Sequence, residues 1–317
     1  MSAISLGSRA IVGEFYKTLE QDLGNSWIPV VSNLFTSDQE SETYRWLGMI
    51  PSMREWVGGR QAKGFRENGI TIENKHFEAT LEVLVREMRR DKTGQVMVRI
   101  RELATRANAH WAKLLSTLIV NGSSTVCYDG QYFFDTDHSE GDSGTQSNSI
   151  SVDISAMPGS VHGSTTAPST EEMQSAIMAA VQAIYSFKDD QGEPTNENAR
   201  NFLIMVPPSL WTPAYQSVYS PLAGTLQSSL DQIRSGGLNL TPVVNARLSS
   251  WTASFAVFRA DSEVKPLIRQ QEKDIEIKAI AEGSELEFNE DKHHYGIEAW
   301  RNVGYGDWKA ACLVTMI

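Results

Sequence analysis

Cysteine is scarce: Cys127 and Cys312 are the only two in 317 residues. That is too few for a disulfide scaffold and suits a reducing cytoplasm. Long apolar runs are missing as well. None approaches the roughly 18–20 residues that a helix needs to span a bilayer, so an integral membrane protein is not expected. The opening residues have no basic region followed by a continuous apolar one, and secretion by a signal peptide is not expected either. Positive charge is in deficit. The formal net charge of −11 argues against tight nucleic-acid binding, because neutralising phosphates takes concentrated Lys and Arg. Catalytic signatures are equally thin. There is no Walker loop, no GxGxxG after a strand, and no HExxH, CxxC or GxSxG. Nothing nearby marks Cys127 or Cys312 as a low-pKa nucleophile, so both are expected to be buried, inert thiols.

Hydrophobic residues make up 41% of the chain, enough for a sizeable core, and the length suits two domains or one with a large insertion. Ile11, Phe15, Leu19 and Leu23 repeat at helical spacing before Gly24, a natural stop. Their apolar stripe needs a partner, and residues 1–50 read as an arm lying on another surface. Phe77, Ala79, Leu81, Val83 and Val85 alternate with mainly polar neighbours, a strand pattern. With Gly58-Gly59 and Asn68-Gly69 upstream, residues 51–92 read as a long hairpin or loop. A ten-residue arm of this kind reaches about 30 Å and can leave the body of the protein. Ile100, Leu103, Ala104, Ala107, Trp111, Leu114, Leu115 and Leu118 predict one helix over about 95–121, ending at Asn121-Gly122. A polar tract from residue 139 to about 169 reads as a linker or mobile loop. Beyond it the patterns predict a helix over 170–187, a buried strand at 202–206, a short helix through 219, and strands through the C-terminal third.

Charge is unevenly spread. Residues 54–113 carry 13 basic and 8 acidic groups, whereas residues 271–298 carry nine acidic groups against Lys273, Lys278 and Lys292. Arg86, Arg89, Arg90 and Lys92 are therefore expected to meet acidic protein surface, with 271–298 of a neighbouring subunit the leading candidate. One cluster invites an enzymatic reading: Asp135, Asp137 and His138 could begin a divalent-metal site in a metal-dependent hydrolase. The simpler reading is a capped turn that His138 closes by hydrogen bonding. Lys63 and Lys309 read as ordinary surface lysines.

Taken together, Trp46-Leu-Gly48, Pro51-Ser-Met-Arg-Glu-Trp56, Gly59-Arg60, Ile72-Glu-Asn-Lys-His-Phe-Glu78 and Tyr128-Asp-Gly-Gln-Tyr-Phe-Phe-Asp-Thr-Asp-His138 resemble the major head subunit of Mu-like phages and prophages. The resemblance runs from about residue 10 to 317. It implies an α+β chain with the HK97-like capsid fold: an N-terminal arm (1–50), an extended loop (51–92), a peripheral domain with a long spine helix (93–165 and 262–317) and an axial domain (166–261). It also implies a non-enzymatic protein without cofactors, found in the virion. Such a protein assembles with itself into hexamers and pentamers around double-stranded DNA. Scaffold or protease, portal and decoration proteins would be its partners, and a membrane would not. Ile11, Phe15, Leu19, Leu23, Arg86, Arg89, Arg90 and Lys92 are then the candidate subunit contacts. An encapsulin-like compartment shell is the structural alternative, and the metal-dependent hydrolase the enzymatic one.

Overall fold

A computed structural model describes residues 7–21, 24–45, 69–91, 94–155, 162–219 and 237–317. Two long strands organise it. The alternation at Ile275, Ile277 and Ala279 belongs to a strand that starts earlier, β9 (Leu267–Ile280), and returns as β10 (Lys292–Tyr305). A short helix, α8 (Glu285–Glu290), caps the turn between them. β1 (Ser32–Thr36) pairs in parallel with β9, and β4 (Lys75–Leu84) pairs antiparallel with β10, giving the order β1-β9-β10-β4. β4 is therefore no free arm. It is paired with residues 292–301 from end to end, because its half-buried alternation fits one covered face of a sheet. Val85 has already turned into α3 (Val85–Arg90). Upstream, β2 (Ser41–Tyr44) and β3 (Ile70–Glu73) form a separate two-stranded ribbon. The remainder of the expected loop, with Lys63, lies outside the described residues.

A second sheet has the order β5-β11-β8-β6-β7. Its strands are β5 (Ser149–Val152), β11 (Ala311–Met316), β8 (Ser254–Arg259), β6 (Asn201–Val206) and β7 (Asn239–Val244). Boundaries at 165/166 and 261/262 cut across this sheet, since β5 and β11 lie outside 166–261 yet hydrogen-bond into it. The polar tract is likewise no linker over its first part: Glu140 and Asn148 are buried and β5 follows directly. Helices α6 (Thr170–Ser186) and α7 (Trp211–Tyr219) contribute to the same large core as this sheet.

The expected helix over 95–121 is two helices, α4 (Gln95–Asn108) and α5 (His110–Val120), with Ala109 between them at ψ 0°. The reason lies in the burial pattern. α4 buries Val96, Ile100, Ala104 and Ala107 in a smaller core, whereas α5 buries Ala112, Leu115 and Ile119 in the large one. At 3.6 residues per turn, those two stripes would face about 100° apart on one straight helix. Asn108 marks the break, its side-chain amide donating to the carbonyls of Leu19 (2.7 Å) and Gln21 (3.1 Å). The β9–β10 hairpin joins both cores, with Leu267 and Tyr305 in the large one and Ile277 and Tyr295 in the smaller.

The start of α6 supports a prediction. Ser169 Oγ accepts the Glu172 N–H, and Glu172 Oε2 accepts the N–H groups of Ser169 (2.7 Å) and Gly163 (3.1 Å), a reciprocal cap. Burial alone would raise the Glu172 carboxyl, but those N–H groups and the His162 ring outweigh it and hold it below the usual range. A depressed carboxylate stabilises above its unfolded value, about 4.3, and the stabilisation is lost as pH falls through the folded value. Glu172→Gln should thus cost about 1 kcal/mol near neutral pH. The gap in urea midpoint between the two proteins should narrow as pH falls below about 4.

Candidate functional site

Asp135, Asp137 and His138 sit in a turn that closes on the chain itself. Asp135 accepts the N–H groups of Tyr132 (3.1 Å) and Thr136 (2.7 Å). Burial would raise its carboxyl, but these bonds and one from Asp137 hold it below the usual range. His138 is fully buried. Its Nδ1 lies 2.6 Å from Asp129 Oδ2, its Nε2 lies 3.2 Å from Asn148 Oδ1, and its ring stacks on Trp308 with centroids 4.0 Å apart. Both ring nitrogens are engaged, so neither is aimed at a metal. Among the described residues no group of three or more His, Cys, Asp or Glu has the geometry to hold one. The hydrolase reading of Asp135, Asp137 and His138 is corrected to that of a capped turn.

The same network holds a residue that the sequence pattern placed at the surface. Lys309 is 2% exposed. Its Nζ donates to Glu140 Oε2 (2.8 Å) and Tyr128 Oη (3.0 Å), and it lies 4.8 Å from the centre of the Trp308 ring. Tyr128 in turn donates to Asp307 (3.2 Å), and burial pushes its own hydroxyl pKa far up, so it stays a donor. This is a brace tying residues 128–148 to 307–309. The two thiols are inert as expected: both are buried, which pushes Cys127 well up and Cys312 to about 12.

The candidate subunit contacts separate into two kinds. Ile11 and Phe15 are completely buried within their own chain. They lie on α1 (Ser8–Leu19), in the smaller core with residues of α4 and with Val83, Met88 and Tyr295. Ile11 and Phe15 are therefore covered by their own chain, and not by another surface as the arm reading expects. Leu19 is half-buried on the same helix, and Leu23 lies outside the described residues. Arg86, Arg89 and Arg90, by contrast, are exposed on α3, with Lys92 outside the described residues. Part of their expected acidic counterpart is already paired inside its own chain. Glu298 binds Lys273 (2.6 Å) and Lys278 (2.7 Å), which hold its carboxyl down to about 2, and Glu290 binds Lys292 (3.1 Å).

Comparison with known proteins decides the family. The sequence matches the family of the Mu-like prophage major head subunit gpT over residues 8–160 and 230–315. The chain belongs to that family. The matched residues carry both long strands, the smaller core and the His138–Lys309 brace; α6, β6 and α7 fall in the gap. The major head subunit of Mu-like prophage FluMu from Haemophilus influenzae is 35% identical over 123 residues, 38% of this chain and 40% of that relative. The major capsid protein of Escherichia phage Mu is 33% identical over 108 residues, 34% of this chain and 35% of its own length. These alignments therefore span well under half of the curated relatives. Among solved structures, the procapsid of bacteriophage JBD30 superposes with a TM-score of 0.55 at 22% identity, over 97% of this chain and 73% of that one. At that identity the likeness shows the fold, which is the HK97-like capsid fold.

Proposed function

We propose that the chain is the major capsid protein of a Mu-like tailed phage or prophage, assembling through hexamers and pentamers into the icosahedral head around double-stranded DNA. The observation that carries this reading is the family match over residues 8–160 and 230–315, joined to an HK97-like fold. Its work is assembly rather than turnover: modest interfaces gain strength from many simultaneous contacts in a closed shell. A scaffold or protease, a portal and decoration proteins are its proposed partners, and the virion is its proposed place. Co-expression with a scaffold protein of a Mu-like phage should give closed particles of uniform size by negative-stain microscopy. Amorphous or monomeric material under those conditions would overturn the reading.

The exposed cations of α3 belong to the same proposal, as contacts to acidic surface on a neighbouring subunit. Each exposed pair contributes about 0–1 kcal/mol, so only repetition around the shell gives them weight. Reversing Arg89 and Arg90 to Glu should lower particle yield, most strongly at low salt, while leaving the urea midpoint of the dissociated subunit unchanged. Unchanged yield and salt dependence would remove these residues from the interface.

A further inference from the structure

Two separate features of the surface complement each other. The first is a knob. Phe288, on the tip helix α8, is 89% exposed, whereas the next most exposed large hydrophobic residue described, Ile317, is 59% exposed. No side chain of α8 is buried, and the helix is acidic: Glu285, Glu287 and Glu290 flank the ring. Glu287 faces His293 (3.3 Å) and Glu290 faces Lys292, but Glu285 has no ion-pair partner among the described residues. The phenyl ring stands in water on a helix none of whose side chains is buried, the most exposed large apolar group among the described residues.

The second feature is a hole. A half-open cavity of about 340 Å³ lies where α4 and α5 meet the face formed by β4, β9 and β10. Phe77, Ala79, Leu103 and Ile297 are among its walls, and Arg106 and Lys113 stand at its rim. Both rim cations are exposed and make no ion pair among the described residues. Glu298 also reaches the cavity but is already held by Lys273 and Lys278, and Glu78 accepts a hydrogen bond from Thr80 (3.1 Å). An apolar cavity of about 150 Å³ suffices to take up benzene, so this one has room for a phenyl ring and part of a neighbouring side chain.

We propose that Phe288 of one copy seats in this groove on a second copy, with the Glu285 side of α8 against Arg106 and Lys113. The inference rests on the capsid reading above. Knob and hole are different surfaces, so the contact is head-to-tail and propagates from subunit to subunit, as a closed shell requires. The charges set its orientation and the ring supplies the buried area.

The test replaces Phe288 with a photoreactive benzoylphenylalanine in particles assembled from a mixture of isotopically light and heavy subunits. Irradiation should give adducts joining light to heavy chains, mapping by mass spectrometry to the strand around Ala79 or the helix around Leu103. The dissociated subunit should give none. Arg106→Glu with Lys113→Glu should cut the yield about tenfold, and Glu285→Lys should restore part of it. Adducts to α8 of another copy, to any other surface, or within one chain would overturn the proposal. So would particles that form normally and give no adduct. Failure to form particles with the unsubstituted chain would instead count against the capsid reading itself. A yield unchanged by the double reversal would remove the charged rim from the contact.

Discussion

Lys309→Met should destabilise the isolated subunit by about 3–5 kcal/mol, the cost of leaving a buried charge without its partner. Glu140 is 4% exposed and its carboxylate takes the Lys309 ammonium at 2.8 Å, so removing that cation takes the opposite charge away from a buried anion. The substitution keeps the length and apolar stem of the side chain. Packing over Trp308 and Tyr128 is thereby largely retained, and the charge is what changes. Glu140→Leu added to Lys309→Met should recover most of the loss, because an ion pair replaced by apolar groups of similar volume is often neutral. Asp307 stays satisfied in the double variant, still accepting from Tyr128 and from the backbone of residue 309. Urea unfolding of the dissociated subunit, at unchanged m-value, reads both effects. A single-variant loss below about 1 kcal/mol would mean that the pair behaves as if exposed to water.

That brace shows what the sequence leaves out of view. Elements were legible where burial imposes one period on one element. The alternation at 77–83 and 275–279 is seen in β4 and β9, the apolar run at 202–206 in β6, and the repeat at 173–184 in α6. The break in the spine helix is hidden in the sequence because its eight apolar residues keep one helical spacing throughout. They are two stripes serving two cores, and those cores become separate only in the folded chain. Lys309 carried a local signal of its own, a single cation between Trp308 and the apolar run from Ala310 to Val314. A charge inside such a run is either on an edge or paired in the interior. Its partner, Glu140, is 169 residues away in a tract whose Ser and Gly content read as linker. His138 was legible as the closing group of a turn, but Asp129 and Asn148 become its partners only through the fold. The family resemblance likewise conveyed the architecture without saying whether an amphipathic N-terminal helix covers its own chain or another.

Phe15→Ala should answer that last question with a loss of about 3–5 kcal/mol in the dissociated subunit, the usual cost of emptying a fully buried aromatic site. The ring is completely buried in the core that also holds Ile100, Ala104 and Tyr295, and close-packed interiors of this kind feel the loss of a ring. α1 is fastened at both ends by groups of its own chain. Ser8 bonds Tyr295 Oη (2.9 Å) through its hydroxyl and Glu282 (2.9 Å) through its N–H, while Asn108 holds the carbonyl of Leu19. Midway, Glu14 pairs with Arg101 at 2.5 Å. Removing residues 1–24 would therefore strip the cover from the smaller core rather than trim a loose arm. Truncated subunits should expose that core to a hydrophobic dye and lose assembly because they are no longer properly folded. Leu19→Ala, at a half-buried position, should cost less than Phe15→Ala. If Phe15→Ala leaves the urea midpoint of the dissociated subunit unchanged while particle yield collapses, α1 belongs to the neighbouring subunit's surface. An equal fall in subunit stability and particle yield places it where the structure does, as the lid of its own chain's second core.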